Sequence, residues 1–483
     1  MPKRKSTTIF SEVSKFFKEN DATKAMGTIM DMTGILRLSE KRLFALESKP
    51  NCKVAQRQVL ELLLLFPCFM VKNAYRYAGS AMESIVRCGK DVFYRFLSNG
   101  ENDWRKILYS ASKRLWAKIQ SEGTASGHGI TCLMIDDTDF PKRGGVHTEA
   151  IGKVFSHVTH KMILGFKGLF LGITDGKSQM LLDFALVGEK GRKGDHGMRK
   201  DQLGERYSKE RREGCPVMER LKEYDRSKIA LAVEMIRRAI SMGMRFRYML
   251  ADSWFTCAEV VRFVRSRRIG CHYLGMAKMG KTKYDVNGKM MTAREIVSSH
   301  GTKKTGRRYS RGLRCHYITV DASLDGVDVR LFLSRRGDRS DWTLLLTTDT
   351  SIDFAEACRT YSMRWSLEVV FKDSKQNLGL GKYQVRDFAS QIACTSITAL
   401  QYNLLSTALR FSDYETLGGL FRDAVQNSTE LSVTDHIWDA TLEIVYTISE
   451  CFNIPDDEIL DIIVNKTVSL ENVINIYTLK YAS

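Results

Sequence analysis

The chain has 483 residues, 43% hydrophobic and 27% charged, which excludes a disordered protein and allows more than one domain. Its formal charge of +18 points to a polyanionic partner, nucleic acid above all. That charge is segregated, because residues 412–483 hold three basic against thirteen acidic side chains and leave the remainder near +28.

Apolar runs near 59–65 and 392–405 are too short or too polar to span a bilayer, the second being interrupted by Gln401 and Asn403, so no membrane partner is expected. The opening Met-Pro-Lys-Arg-Lys has no apolar stretch behind it and does not read as a secretory signal. Eleven cysteines without a C-x-x-C pair read as reduced thiols of a cytoplasmic protein. Two Cys-His-Tyr triplets, 271–273 and 315–317, read as residues alternating along strands and not as a zinc site.

In chain order, residues 1–125 show helical apolar spacing at Val13–Phe17, Leu43–Leu46, Val54–Leu65 and Ile107–Ile119. Lys41, Arg42, Arg105, Lys106, Lys113 and Arg114 lie between those positions, as in a helical DNA-binding region or simply a solvated face. Residues 126–268 change texture. Ile130–Ile135 predicts a buried strand closed by Asp136-Asp137-Thr138, and Met162–Ile173 and Gln179–Val187 predict two more around a turn at 174–177. Residues 189–213, rich in Lys, Arg and Gly, suit the tracking of phosphates better than packing. A helix follows over 216–242, with Met218, Leu221, Ile229, Val233 and Ile236 on its apolar face. Then come a strand, Arg247–Ala251, closed by Asp252, and a helix over Ala258–Arg268.

Residues 269–347 break this rhythm with strand-like pieces at Cys271–Gly275, His316–Val320, Val327–Ser334 and Thr343–Thr347, and read as a β-rich insertion. Residues 348–411 return to helix, continuous over Ser351–Leu378 and again from about 384 to 411. The acidic region 412–483, with Ile437, Trp438, Ile444, Ile459, Ile462 and Ile463, reads as a packed appendage or a dimerisation surface. The fold class is α/β, a mixed sheet flanked by helices.

Three carboxylates stand out by position: Asp137 closes the first predicted strand, Asp252 closes the fourth, and Glu368 lies within the late helix. If those strands are neighbours, their ends lie side by side and a helix across them brings Glu368 to the same point. Three converging carboxylates suit Mg²⁺, and two such ions about 3.5–4 Å apart can serve an in-line displacement at phosphorus. Asp136 is the rival first ligand, since neighbouring strand residues face opposite ways. On the helix, Tyr361, Arg364, Glu368 and Lys375 fall on one stripe, so the carboxylate is flanked by groups that can hold DNA phosphates. An Arg364–Glu368 ion pair on a solvated helix is the plainer reading of the same spacing.

The pattern Y-x-x-R-x-x-x-E-x-x-x-x-x-x-K resembles the YREK motif of the IS-four group of bacterial DDE transposases. Asp136-Asp137-Thr138 resembles that group's first-aspartate motif, and Leu250-Ala251-Asp252-Ser253-Trp254-Phe255 its second, so the resemblance spans roughly Thr131 to Phe411. It implies an RNase H-like core with a β insertion, two Mg²⁺ or Mn²⁺ ions per active site, and cut-and-paste transposition through a hairpin intermediate. The implied partners are double-stranded DNA with terminal inverted repeats, target DNA and a second copy of the chain, in the bacterial cytosol. Asp137, which directly precedes a threonine as the group's aspartate does, would then ligate metal together with Asp252 and Glu368. Tyr361, Arg364 and Lys375 would contact phosphates. Trp342 resembles the tryptophan that stacks on a flipped base, although it is offset by Thr343 and a strand tryptophan is more often core. A silent DNA-binding regulator and a nuclease without strand transfer are the alternative readings.

Overall fold

The computed structural model describes residues 24–38, 54–121, 129–191, 193–266, 270–302, 306–337, 340–429 and 444–445. The helices expected at Val13–Phe17 and Leu43–Leu46, with Lys41 and Arg42, lie outside these residues, as does most of the acidic region, including Ile437, Trp438, Ile459, Ile462 and Ile463. The chain divides into two compact units, one of residues 104–392 and one of residues 1–103 with 393–483.

The first unit is built on a 12-stranded mixed sheet. Its strands are β1 (Cys132–Pro141), β2 (Gly152–Ser156), β3 (Lys161–Thr174), β4 (Gln179–Val187), β5 (Tyr248–Ala251), β6 (His272–Ala277), β7 (Lys283–Val286), β8 (Lys289–Thr292), β9 (Arg308–Ser310), β10 (Cys315–Leu324), β11 (Val327–Arg335) and β12 (Thr343–Thr347). Strand β1 pairs antiparallel with β3 and parallel with β5, which pairs parallel with β6. The strands carrying the two candidate aspartates are therefore neighbours, as convergence of those residues requires. Cys132–Ile135 and Tyr248–Ala251 are buried throughout, as the apolar runs of parallel strands covered on both faces should be.

Four expectations change. Strand β1 does not stop at the aspartates, because the 14-residue β3 holds it in register to Pro141. Gly165 of β3 makes that close approach possible, since a Cβ there would lie 2.2 Å from the Phe140 carbonyl oxygen. The short strand β2, which pairs with the start of β3, escaped the sequence reading. The helix expected over 216–242 is two, α2 (Pro216–Glu223) and α3 (Lys228–Ser241), with the Ser227 hydroxyl accepting from the Ile229 N–H at the restart. The β-rich stretch 269–347 prolongs the same sheet: β6 lies beside β5, and β12, β11, β10, β7 and β8 follow in antiparallel order.

Helix α1 (Trp104–Ser121) and α3 cover β4, α4 (Ala258–Arg265) follows β5, and α5 (Ala293–His300) follows β8. Arg105 of α1, a candidate DNA contact by sequence, is committed inward to Asp183 and Glu223, each at 2.9 Å. The basic loop 189–213 is also tied down. Arg211, 4% exposed, grips Glu149 through both terminal nitrogens at 2.6 and 2.7 Å and reaches Asp387 at 3.1 Å. Glu149 also accepts the N–H of Phe388, the first residue of a long helix that ends at Arg410. Glu149→Gln leaves that guanidinium without its closest counter-charge and is expected to cost about 1–3 kcal/mol. An earlier urea unfolding midpoint at an unchanged slope is the measurement that checks it.

The second unit is helical. Lys24–Leu36, Gln56–Leu65 and Lys90–Leu97 are among its helices, and Phe66, Tyr77 and Phe93 form an aromatic cluster with centroids 4.8–5.8 Å apart. Among the described residues no helix is long and apolar enough to cross a membrane.

Candidate active site

The site forms where β1 and β5 leave their parallel pairing. Ile135 is the register partner of Ala251, so the next residues along the two strands are Asp136 and Asp252. Paired residues on neighbouring strands share a face, which places Asp136, not Asp137, alongside Asp252. Asp252 is held in a tight turn: its carboxylate accepts the Trp254 N–H at 2.9 Å and its carbonyl accepts the Thr256 hydroxyl at 3.0 Å. That hydroxyl lies 2.8 Å from the buried Tyr273 phenol and also meets the Met276 carbonyl. Gly275 leaves room for this junction, because a Cβ there would stand 2.8 Å from the Thr256 oxygen. Thr256 escaped the sequence reading, having no charge or motif to mark it, while Tyr273 and Gly275 were read there only as strand residues.

The late helix breaks where it meets the site. Helix α6 (Phe354–Ser362) and helix α7 (Trp365–Asn377) flank a turn at Met363–Arg364, so the expected continuous helix over Ser351–Leu378 is corrected. Leu367 of α7 lies against Gly172 on the β1 face that holds Met134, Asp136 and Thr138. Arg364 sits at the break and bridges two candidate ligands, donating to Asp136 at 2.8 Å and to Glu368 at 2.7 Å. Its guanidinium also stands 5.8 Å from the Tyr361 ring. Lys375, about two turns beyond Glu368, donates to the Thr138 hydroxyl at 2.6 Å. The structure thus gathers Asp136, Asp252, Tyr361, Arg364, Glu368 and Lys375 along one side of β1.

Asp137 faces the other way. Its carboxylate accepts from Lys228, the first residue of α3, at 2.6 Å, and the buried Lys167 ammonium lies 4.0 Å away. Trp342 is half-buried just before β12, and the Arg335 guanidinium lies 4.9 Å from its ring centroid.

Electrostatics mark the same point. Burial raises the Asp136 carboxyl to about 6, with the charges of Asp252 and Asp137 adding to the shift and Arg364 and the Asp137 N–H opposing it. Burial likewise raises the Tyr361 phenol and lowers the Lys375 ammonium, the latter helped by Lys167 and opposed by Asp139. Among the described residues no group of three His, Cys, Asp or Glu side chains could by itself hold a metal ion. The donors present are nonetheless the oxygens Mg²⁺ takes, and that ion commonly uses one or two carboxylates with water and phosphate completing the shell. With Asp136 and Asp252 at adjoining strand ends and Arg364 bridging Asp136 to Glu368, the chemistry of this donor set suits such an ion.

Residues 76–309 match the model of a family described as DDE superfamily endonuclease. The matched region contains both aspartates and ends before Glu368. Among solved structures, the chain is similar to a piggyBac transposase in a synaptic complex with hairpin DNA, at 11% identity and a TM-score of 0.40. That similarity covers 85% of this chain and 81% of the other. None of the curated proteins compared with the chain matches it.

Proposed function

We propose that the chain is a metal-dependent DNA transposase of the IS-four type, cutting at the ends of an element and joining them to a target. The observation that carries this reading is the meeting of Asp136, Asp252 and the Arg364–Glu368 pair within and just beyond a region matching DDE endonucleases. In this reading Asp136, Asp252 and Glu368 hold divalent cations, with Asp136 in place of Asp137. Such ions, Mg²⁺ or Mn²⁺ and two per site, would activate the attacking oxygen and stabilise the leaving one at phosphorus.

The chain's own residues set the stage for that chemistry. Arg364 has two duties: it neutralises Asp136 and Glu368 before DNA arrives, and its planar donors can then turn to a phosphate. Lys375 and Tyr361 extend the same stripe and hold the strand in register, while the turn at Asp252 fixes its carboxylate against β6. Trp342, already beside a cation, keeps its proposed role of stacking on a flipped base. The partners are duplex DNA with terminal inverted repeats, target DNA and a second copy of the chain in the cytosol.

The test is to incubate the full chain with Mg²⁺ and a labelled duplex carrying the terminal repeat that flanks its coding sequence. Nicks at the repeat end followed by hairpins and joined products are the expected result. Nicks without joining would leave a nuclease, and binding without nicks a silent regulator.

A further inference from the structure

Trp254 lies two residues beyond Asp252 and is 52% exposed as a residue, although burial is the common fate of so large an apolar side chain. Two lysines from different elements converge on it. The Lys278 ammonium, just after β6, is 4.6 Å from the ring centroid, and that of Lys228, at the start of α3, is 5.7 Å away. Lys228 also holds the Asp137 carboxylate, so one ammonium joins the indole to the strand that carries the site. The backbone N–H of Trp254 donates to the Asp252 carboxylate at 2.9 Å, so the residue's main chain is anchored beside a candidate ligand.

A half-exposed indole with two ammonium groups over its ring is the chemistry that receives an unpaired nucleotide, since a base can stack on the ring while the flexible lysines swing aside to meet the flanking phosphates. A packing role does not explain the exposure, and a protein partner does not explain the two lysines. We propose that Trp254, with Lys278 and Lys228, is a stacking platform for an unpaired base of the DNA strand next to the cut. This rests on the proposed DNA-cutting function and adds to it a site for single-stranded character at the substrate end, separate from Trp342. Charge complementarity favours this occupant, because the chain carries a formal +18.

The test uses the full chain and a single-stranded oligodeoxynucleotide of about ten nucleotides carrying one 2-aminopurine. Quenching of the probe on binding reports stacking, and a terminal-repeat duplex binds in parallel. Trp254→Ala is expected to weaken single-strand binding by about fivefold or more and to abolish the quenching, with Trp254→Phe retaining most of both. Lys278→Gln is expected to leave the quenching in place and to make the salt dependence shallower by about 0.7 in log–log slope. The platform is overturned if Trp254→Ala binds and quenches as the parent does, or if Trp254→Phe fails as badly as Trp254→Ala. Should Trp254→Ala not fold, Trp254→Phe and Lys278→Gln still decide the matter, because unchanged salt dependence in the latter also overturns it. A parent chain that binds neither oligonucleotide nor duplex overturns the DNA-cutting function itself, whereas duplex binding without single-strand quenching overturns the platform alone.

Discussion

Asp252→Ala and Glu368→Ala are each expected to lower metal-dependent nicking by on the order of a thousandfold or more, with duplex binding retained. In the proposed function each of these carboxylates holds a divalent cation, and its replacement by a methyl group removes one of the few oxygen donors available to that ion. The pair at the end of β1 gives the sharper comparison. Asp136→Ala is expected to be as inactive as Asp252→Ala, since Asp136 shares the register position and the Arg364 bridge. Asp137→Ala is expected to keep activity within about tenfold of the parent, its loss being that of an ion pair to Lys228 and Lys167. A nicking assay on an end-labelled repeat, with binding measured on the same samples, reads all four. Activity in Asp136→Ala together with none in Asp137→Ala would show that the register argument had chosen the wrong face.

That choice shows where sequence reasoning stopped. An apolar run closed by Asp136-Asp137 locates a strand end near the site, but not which carboxylate faces the helix. The answer needs the pairing of Ile135 with Ala251, a long-range fact with no local signature. The matching with a threonine motif favoured Asp137, while the geometry places Asp136 beside Arg364. Position along the chain brought Tyr361, Arg364, Glu368 and Lys375 into view, because helical spacing repeats in sequence. The break at Met363–Arg364 was not legible, since no Gly or Pro marks it and the turn is fixed by Arg364 reaching toward β1. The β-rich stretch was visible as texture, yet its continuity with the core sheet depends on the antiparallel pairing of β12 with β6. Arg105, read as part of a DNA-binding or solvated helical face, and Arg211, within the loop read as tracking phosphates, are instead held by carboxylates of the fold.

Asp183 has the largest expected effect on stability. The strand Gln-Met-Leu-Leu-Asp-Phe-Ala-Leu-Val places this carboxylate, 1% exposed, among apolar neighbours beneath α1, α2 and α3. Arg105 meets it at 2.9 Å, Arg238 at 2.8 Å and Arg220 at 3.6 Å, with Glu223 closing the cluster against Arg105. Burial alone would raise the Asp183 carboxyl, but Arg105, Arg238 and Arg220 outweigh it and hold it at about 2. Arg220 is pushed down to about 10 by burial and by the Arg105 charge, against the pull of Glu223 and Asp183. The buried face of α2 accordingly carries Val217, Arg220 and Glu223, two of them members of this ion cluster, and not the apolar stripe through Met218 and Leu221. Asp183→Asn keeps the shape but leaves buried guanidinium groups short of charge, at an expected cost of about 3–5 kcal/mol. The sign with pH follows from the depressed value. The contribution is fully present above an unfolded pKa of about 3.9 and is lost as pH falls through about 2. Thermal melts of parent and variant should therefore lie far apart at neutral pH and converge toward pH 2. Adding Arg220→Met to Asp183→Asn should recover part of the loss, because it removes the charge left unpaired. A gap between parent and Asp183→Asn that stays constant down to pH 2 would mean that the carboxylate contributes by packing and not by its charge.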